Sequence, residues 1–135
     1  MIRMYVYTAG DEKLVAIDGR DVMIPRFRNR RTTHALCLMN GLDGTIVLDN
    51  ADDADFRLEY RSKDGMETEP TEAARRCAVA FADLLGVKPF HTKDYCFDDL
   101  AGRHSACILS HLGESKTVSI DDRSSDDIVC EGEFE

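Results

Sequence analysis

The sequence predicts an α+β domain in which a curved, mostly antiparallel or mixed sheet wraps around a central buried helix at about 70–86. Three observations lead there. Segments such as "DFRLEYR" (55–61) alternate strictly, with Phe56, Leu58 and Tyr60 on one face and Arg57, Glu59 and Arg61 on the other, the period of a half-buried strand. "CAVAFADLL" (77–85) is apolar on nearly every side, so a helix there needs enclosure by other elements. Turn signals recur at short intervals between the remaining apolar runs. A chain of 135 residues suits one domain over 1–135 with a real core.

Taken in order, "IRMYVYT" (2–8) and "KLVAID" (13–18) read as strands around the turn "AGDE". "DVMIP" (21–25) adds a short strand, and Pro25 is suited to the first turn of a helix over "RFRNRRTTHALCLM" (26–39). Phe27, Arg31, Ala35, Leu38 and Met39 fall at helical spacing in it. Its basic run, Arg26, Arg28, Arg30 and Arg31, reads as a solvated face, with an anion site as the sharper alternative. "TIVLD" (45–49) is a strand, and "SKDG" (62–65) turns the chain after "DFRLEYR". The buried helix follows, with small residues Ala78, Ala80 and Ala82 allowing close approach and Gly86 as its C-terminal cap. After the loop "VKPFHTKD", the strands "YCFDDL", "SACILSHL", "TVSID" and "DIVCEGEF" (127–134) are separated by the turn signals "AGRH", "GESK" and "DDRSSD".

Composition narrows the function classes. The net charge of −9 and pI near 4.9 argue against nucleic acid or an anionic membrane as partner. No apolar run approaches the roughly 18–20 residues of a spanning helix, and "MIRMYVYTAGDEK" has no apolar signal core, so a cytoplasmic location is expected. The 5 cysteines, Cys37, Cys77, Cys96, Cys107 and Cys130, are scattered without a CxxC pair and read as small buried hydrophobes. His34, His91, His104 and His111 lie in separate elements, except that the last two share a strand at a spacing that faces them apart. "DNADDAD" (49–55) lacks the glycine and distal glutamate of a calcium loop and reads as an acidic turn. Neither a metal site nor a cofactor is expected.

Several short stretches, in order, resemble one family. "LVAIDGR" (14–20) is similar to the first hairpin after a Gly-Asn-Asp motif, and "GLDGTIVL" (41–48) to a Gly-Ala-Asp-Gly strand entry. "ADFRLEYRSKDGMETE" (54–69) resembles an Asp-Phe-Arg strand and Asn-Ala-Asp-Gly turn. Arg76 and Cys77 fall where a central helix carries Arg-Cys, and "LAG" (100–102) resembles a later turn. These are marks of the diaminopimelate epimerases, relatives of proline racemases and phenazine-biosynthesis isomerases. The resemblance implies half of a two-domain enzyme whose site lies between two sheets, each curved around a helix. "DIVCEGEFE" (127–135) resembles the last strand of the whole epimerase, so the expectation is a first domain plus that terminal strand, completing its sheet, with the intervening domain absent.

The family's chemistry, as the resemblance implies it, uses two cysteines on opposite faces of an α-carbon. The first stands in Cys-Gly-Asn-Gly at the start of the central helix, where this chain reads Thr71-Glu72-Ala73-Ala74. A thiol titrates near ~8.5 and lower at a helix start; a threonine hydroxyl needs a partner base to accept a proton. Glu69 and Glu72 suit the helix dipole there but repel an incoming carboxylate, and Ala73 and Ala74 add side chains to a stretch whose glycines, in the family, let a substrate approach. Asp11 or Glu12 replaces the asparagine of Gly-Asn-Asp, and the second cysteine belongs to the absent domain. The expected function is therefore a non-catalytic epimerase-like binding or assembly module, with a homodimer covering the face the missing domain would leave. The alternative is a divergent amino-acid isomerase acting on a small amino-acid-like ligand, its site built at a dimer interface or with a separate partner chain. Thr71, Glu72, Ser62 and Glu12 or Asp11 are its candidate groups.

Overall fold

The computed structural model describes residues 3–20, 29–89, 92–112 and 115–134, with the side chains of residues 111 and 112 left out. The elements are β1 (Met4–Ala9), β2 (Glu12–Asp18), α1 (Arg30–Asn40), β3 (Gly44–Asp49), β4 (Phe56–Ser62), α2 (Glu72–Leu85), β5 (Asp94–Asp99), β6 (Gly102–Leu112), β7 (Ser115–Ile120) and β8 (Arg123–Glu133). The strands β1 to β8 close into a mixed barrel in sequence order. Two neighbouring pairs are parallel, β2 with β3 and β4 with β5. Those are the connections that carry α1 and α2, as a parallel pair requires a crossover. β8 returns antiparallel to β1, from Tyr5 opposite Glu133 to Ala9 opposite Ile128, so the barrel has no free sheet edge.

Alternate residues of the strands point inward. Tyr7, Leu14, Ile46, Leu48, Phe56, Leu58, Phe97, Val118, Ile120 and Ile128 form one cluster with Ala74, Cys77, Ala78 and Phe81 of α2. The helix packs against β1, β2, β3, β4, β6, β7 and β8. Phe81 meets Tyr5 and Tyr7 at 6.1 Å between ring centroids, and Phe56 stacks on Phe97 at 5.0 Å. A second, outer cluster joins Val15, Ile17 and Val47 to Cys37 and Leu42 under α1. β2 and β3 are thus buried on both faces, which is why "LVAI" and "TIVL" read as continuous apolar runs.

The first helix differs from the expectation. It starts at Arg30, because Asn29 is extended and caps it, its Oδ1 accepting the N–H groups of Arg31 (2.9 Å) and Thr32 (3.3 Å). The buried face is Thr33 and Cys37 with Leu36 beside them, whereas Leu38 and Met39 are 75% and 82% exposed. The proposed strand "DVMIP", Pro25, Arg26, Phe27 and Arg28 lie outside the described residues, as do Phe90, His91, Gly113 and Glu114. Arg30 and Arg31 are exposed.

Two turns are shorter than their polar sequences suggest. Leu100 and Ala101 make the first, with Gly102 already in β6. Asp121 and Asp122, both left-handed (φ 49° and 69°), make the second, and "RSSD" belongs to β8. α2 begins at Glu72 and is closed by Gly86 at φ 72°, whose N–H reaches the carbonyls of Ala82 and Asp83. The cysteines also divide. Cys37 and Cys77 are buried, but Cys96, Cys107 and Cys130 are half-exposed. Cys96 and Cys107 sit between inward residues of their strands, so the period of two turns them outward. The acidic turn is tied down by cations and an amide: Asp53 pairs with Arg103 (2.7 Å), and Asp55 with Lys88 (3.4 Å) and the Cys96 N–H (2.8 Å).

Candidate functional site

The start of α2 lies at the barrel end that also carries the β1–β2 turn and the entry to β3. Thr71 is the N-cap, extended at φ −72° and ψ 161°, and its Oγ1 accepts the Ala74 N–H at 3.0 Å. The same hydroxyl donates to Glu12 Oε1 at 3.0 Å across 59 residues of sequence. Both functions of the hydroxyl are thus in use. Burial raises the pKa of the Glu12 carboxyl; the Thr71 bond pulls it back in part, and the negative charges of Asp43 and Asp11 raise it further.

Neighbouring groups keep that end acidic and closed. Asp43 Oδ2 accepts the Lys13 N–H at 2.8 Å. The Tyr60 hydroxyl is pushed up to about 12 by burial, then by Glu12, Asp43 and Cys37. A β-carbon on Gly44 would stand 3.2 Å from that hydroxyl and 2.6 Å from the Arg61 carbonyl, so glycine is what lets β3 enter here. Cys77, further along α2, is fully buried, and its thiol pKa is driven far up by burial, then by the charges of Glu12 and Asp127.

A second set of side chains leads from the helix start into the sheet. Arg75 Nε donates to Asp99 Oδ2 at 2.8 Å, the two side chains being 8% and 0% exposed. Arg75 Nη1 also meets Glu72 Oε1 at 3.0 Å. Asp99 Oδ1 accepts the Ala101 N–H at 2.8 Å, and Asp99 Oδ2 is 3.1 Å from His104 Nε2. His104 Nδ1 is 2.8 Å from Asp121 Oδ2, and that contact holds the Asp121 carboxyl below its ordinary range. One chain of ions therefore ties α2 to the β5–β6 and β7–β8 hairpins.

No family model matches the sequence. The diaminopimelate epimerase of Flavobacterium psychrophilum is 30% identical over 110 residues, which is 79% of this chain and 41% of that enzyme. The diaminopimelate epimerase of Chlorobaculum tepidum is 43% identical over 49 residues, 36% of this chain and 19% of the enzyme. A Bacillus anthracis PhzF-family phenazine biosynthesis protein superposes with a TM-score of 0.67 at 12% identity, covering 89% of this chain and 40% of that one. A methylitaconate-delta-isomerase gives 0.60 at 15% identity, over 94% and 40% of the two chains. A hydroxyproline epimerase from Agrobacterium vitis gives 0.56 at 15%, over 98% and 42%. The chain has the fold these proteins share, and its sequence is similar to that of diaminopimelate epimerases. It spans 41% or less of the length of the two curated epimerases it matches.

In this epimerase-like chain the structure brings two of the candidate residues together, Thr71 and Glu12. The others point elsewhere. Glu72 is engaged by Arg75 (3.0 Å), Arg76 (3.7 Å) and Arg123 (3.8 Å), and Glu69 lies 3.7 Å from Arg75. Ser62 acts through its backbone, its carbonyl accepting the Gly65 N–H (2.8 Å) and its N–H donating to Met66 (3.2 Å) in the turn after β4. Asp11 is exposed in the β1–β2 turn. His34 meets the Lys63 carbonyl at 3.0 Å, while His91 and the side chain of His111 lie outside the described residues. Among the described residues no three His, Cys, Asp or Glu side chains are placed to hold a metal. No described helix is long and apolar enough to cross a membrane. Sequence reasoning missed Arg75 and Asp99. The available signal was an arginine at the edge of an apolar helix, with only the exposed Glu69 and Glu72 nearby in sequence to neutralise it.

Proposed function

We propose that this chain is a non-catalytic epimerase-like module, a binding or assembly unit that works as a homodimer and does not carry cysteine-based proton transfer. The observation behind this reading is the double engagement of the Thr71 hydroxyl, with the Ala74 N–H and with Glu12. By resemblance, Thr71 stands where the epimerases carry their first cysteine. The hydroxyl is a far weaker acid than the thiol it replaces by resemblance, and its oxygen is committed to capping the helix at the Ala74 N–H. The buried Cys77, with its raised pKa, offers no thiolate in its place.

Proton exchange tests this directly. The protein is incubated in D₂O with diaminopimelate and a panel of free amino acids, and the α-proton signal is followed by NMR. The expected result is no exchange above that of a Thr71→Ala/Glu12→Gln double variant. Exchange above that control would overturn the reading. It would favour the alternative, a divergent isomerase with Glu12 as base, which the raised pKa of Glu12 beside Thr71 supports.

The homodimer rests on the outer surface of α1. Leu38 and Met39 are adjacent there and 75% and 82% exposed, an apolar pair that a second copy would cover. Sedimentation equilibrium should give a dimer, and a Leu38→Glu/Met39→Glu variant a monomer with an unchanged circular dichroism spectrum. A wild-type monomer at high concentration removes the homodimer, and copurification of a different chain would assign the surface to a separate partner.

A further inference from the structure

The far part of α2 faces a different environment. A cavity of about 310 Å³ opens between the helix and the β1–β8 wall, lined by Tyr7, Ala80, Leu84, Ile128 and Cys130, with Lys116 its one charged lining residue among the described residues. Its origin is legible in the sheet. The β1–β8 register shifts between Val6 and Tyr7, and the β7–β8 register shifts between Lys116 and Val118. An extra residue bends a strand and loosens its packing, and here both irregularities fall on β8 or its partners. Gly132, at φ 119°, adds no side chain to the gap, and Ala80 presents only a methyl group from the helix.

The charge beside the cavity is unbalanced. Lys116 Nζ lies 2.9 Å from Asp83 Oδ2, and Lys93 Nζ lies 3.5 Å from Asp83 Oδ1. The Tyr95 hydroxyl donates to Asp83 Oδ1 at 3.3 Å. Two ammonium groups thus share one carboxylate, leaving a surplus positive charge, with Lys93 in water and Lys116 largely shielded from it. An ammonium has three donors, so Lys116 can serve a second anion while keeping Asp83.

We propose that this cavity binds a short aliphatic carboxylate, its chain among Tyr7, Ala80, Leu84 and Ile128 and its head group on Lys116. The volume is at the low end for small-molecule sites and suits a chain of roughly six to ten carbons. The aliphatic lining gains from burying that chain. The surplus charge selects an acid over an alcohol or an amine. This site is separate from the Thr71 end of the helix and does not depend on the absence of catalysis there.

The test is a titration of the isotope-labelled protein with sodium octanoate, followed by methyl NMR, with 1-octanol as the uncharged control. Saturable shifts are expected at Ala80, Leu84 and Ile128. Octanol should bind roughly tenfold more weakly or worse, as loss of one charge-assisted contact predicts. Leu84→Trp should abolish binding by filling the cavity; Leu84 is exposed enough for the variant to fold. Lys116→Met should reduce octanoate affinity to that of octanol. The proposal fails if shifts do not saturate below the micelle concentration, if they map elsewhere, if octanol binds as tightly as octanoate, or if Leu84→Trp binds normally. Should Lys116→Met not fold, the comparison of octanoate with octanol still decides the head-group assignment.

Discussion

The two ends of α2 solve the same problem in opposite ways. At its start, local caps and distant carboxylates combine: Thr71 holds the Ala74 N–H, Glu72 and Arg75 pair within one turn, and Glu12 and Asp99 reach in from the sheet to the Thr71 hydroxyl and Arg75. At its far end Gly86 caps the backbone, but Asp83 is held by Lys93, Lys116 and Tyr95 from strands and loops well beyond the helix. The first end is crowded and rich in carboxylates; the second is cationic and leaves a cavity. In this barrel, then, the helix start is filled by its own ion pairs and hydrogen bonds, while the far end leaves space.

The largest effect should come from cutting the buried ion pair that anchors the crowded end. Asp99→Ala leaves the Arg75 guanidinium buried without its shortest partner, and should cost roughly 3–5 kcal/mol of stability, read as a fall in urea midpoint. The double variant Arg75→Met/Asp99→Leu should recover most of that loss, because two buried charges disappear together. If Asp99→Ala is nearly neutral, the network is solvated in solution and the first end is not as tightly closed as its geometry says. Next in size is the cap itself. Thr71→Ala should cost about 1 kcal/mol, while Thr71→Ser should retain most of it by keeping the hydroxyl.

That contrast also explains what the sequence made legible. α2 announced itself because an apolar run on all sides has one physical home, and β4 because its alternation matches a pleated strand. The cap at Thr71 and the stop at Gly86 are local chemistry, so they could be read in place. Arg75 and Asp99 could not: they are 24 residues apart and meet only because the barrel closes. Glu12 and Thr71 were each candidates, yet nothing local says that a hydroxyl at the helix start reaches a strand 59 residues back. The first half of β8 was hidden for the opposite reason. Arg123, Ser124, Asp126 and Asp127 are exposed, so no apolar alternation marks them as strand. In α1 the face on the sheet is Thr33, Leu36 and Cys37, so Leu38 and Met39, apolar in sequence, fall on the outside.

The opposite ends should also respond oppositely to pH. Burial works to raise the Asp83 carboxyl, but its bond to Lys116 and the charges of Lys116 and Lys93 outweigh this and hold it below its ordinary value of 3.8. A depressed folded-state pKa contributes stability above the unfolded value, and that contribution is lost as pH falls through the folded one. Asp83→Asn should therefore destabilise the protein near neutrality, with the deficit against wild type shrinking as the pH drops below 3.8. Denaturant midpoints of the two proteins across the acid range check this.

Glu12 gives the smallest effect and the sharpest test of the comparison. Its folded pKa is raised above 4.5, chiefly by burial. The sign reverses accordingly: its contribution is fully favourable below the unfolded pKa and is lost as pH rises through the folded one. Glu12→Gln keeps an oxygen that can accept from the Thr71 hydroxyl but never acquires a charge. The variant should match wild type in acid and become the more stable of the two as pH rises toward neutrality. Its advantage should build in the window from 4.5 upward, where the Asp83 contribution is already complete. A Glu12→Gln variant less stable than wild type at neutral pH would mean that the carboxylate is stabilised, not strained, at the helix start. The two ends of α2 would then share one electrostatic logic, and the closed end would be a bound-anion site occupied by the chain's own Glu12.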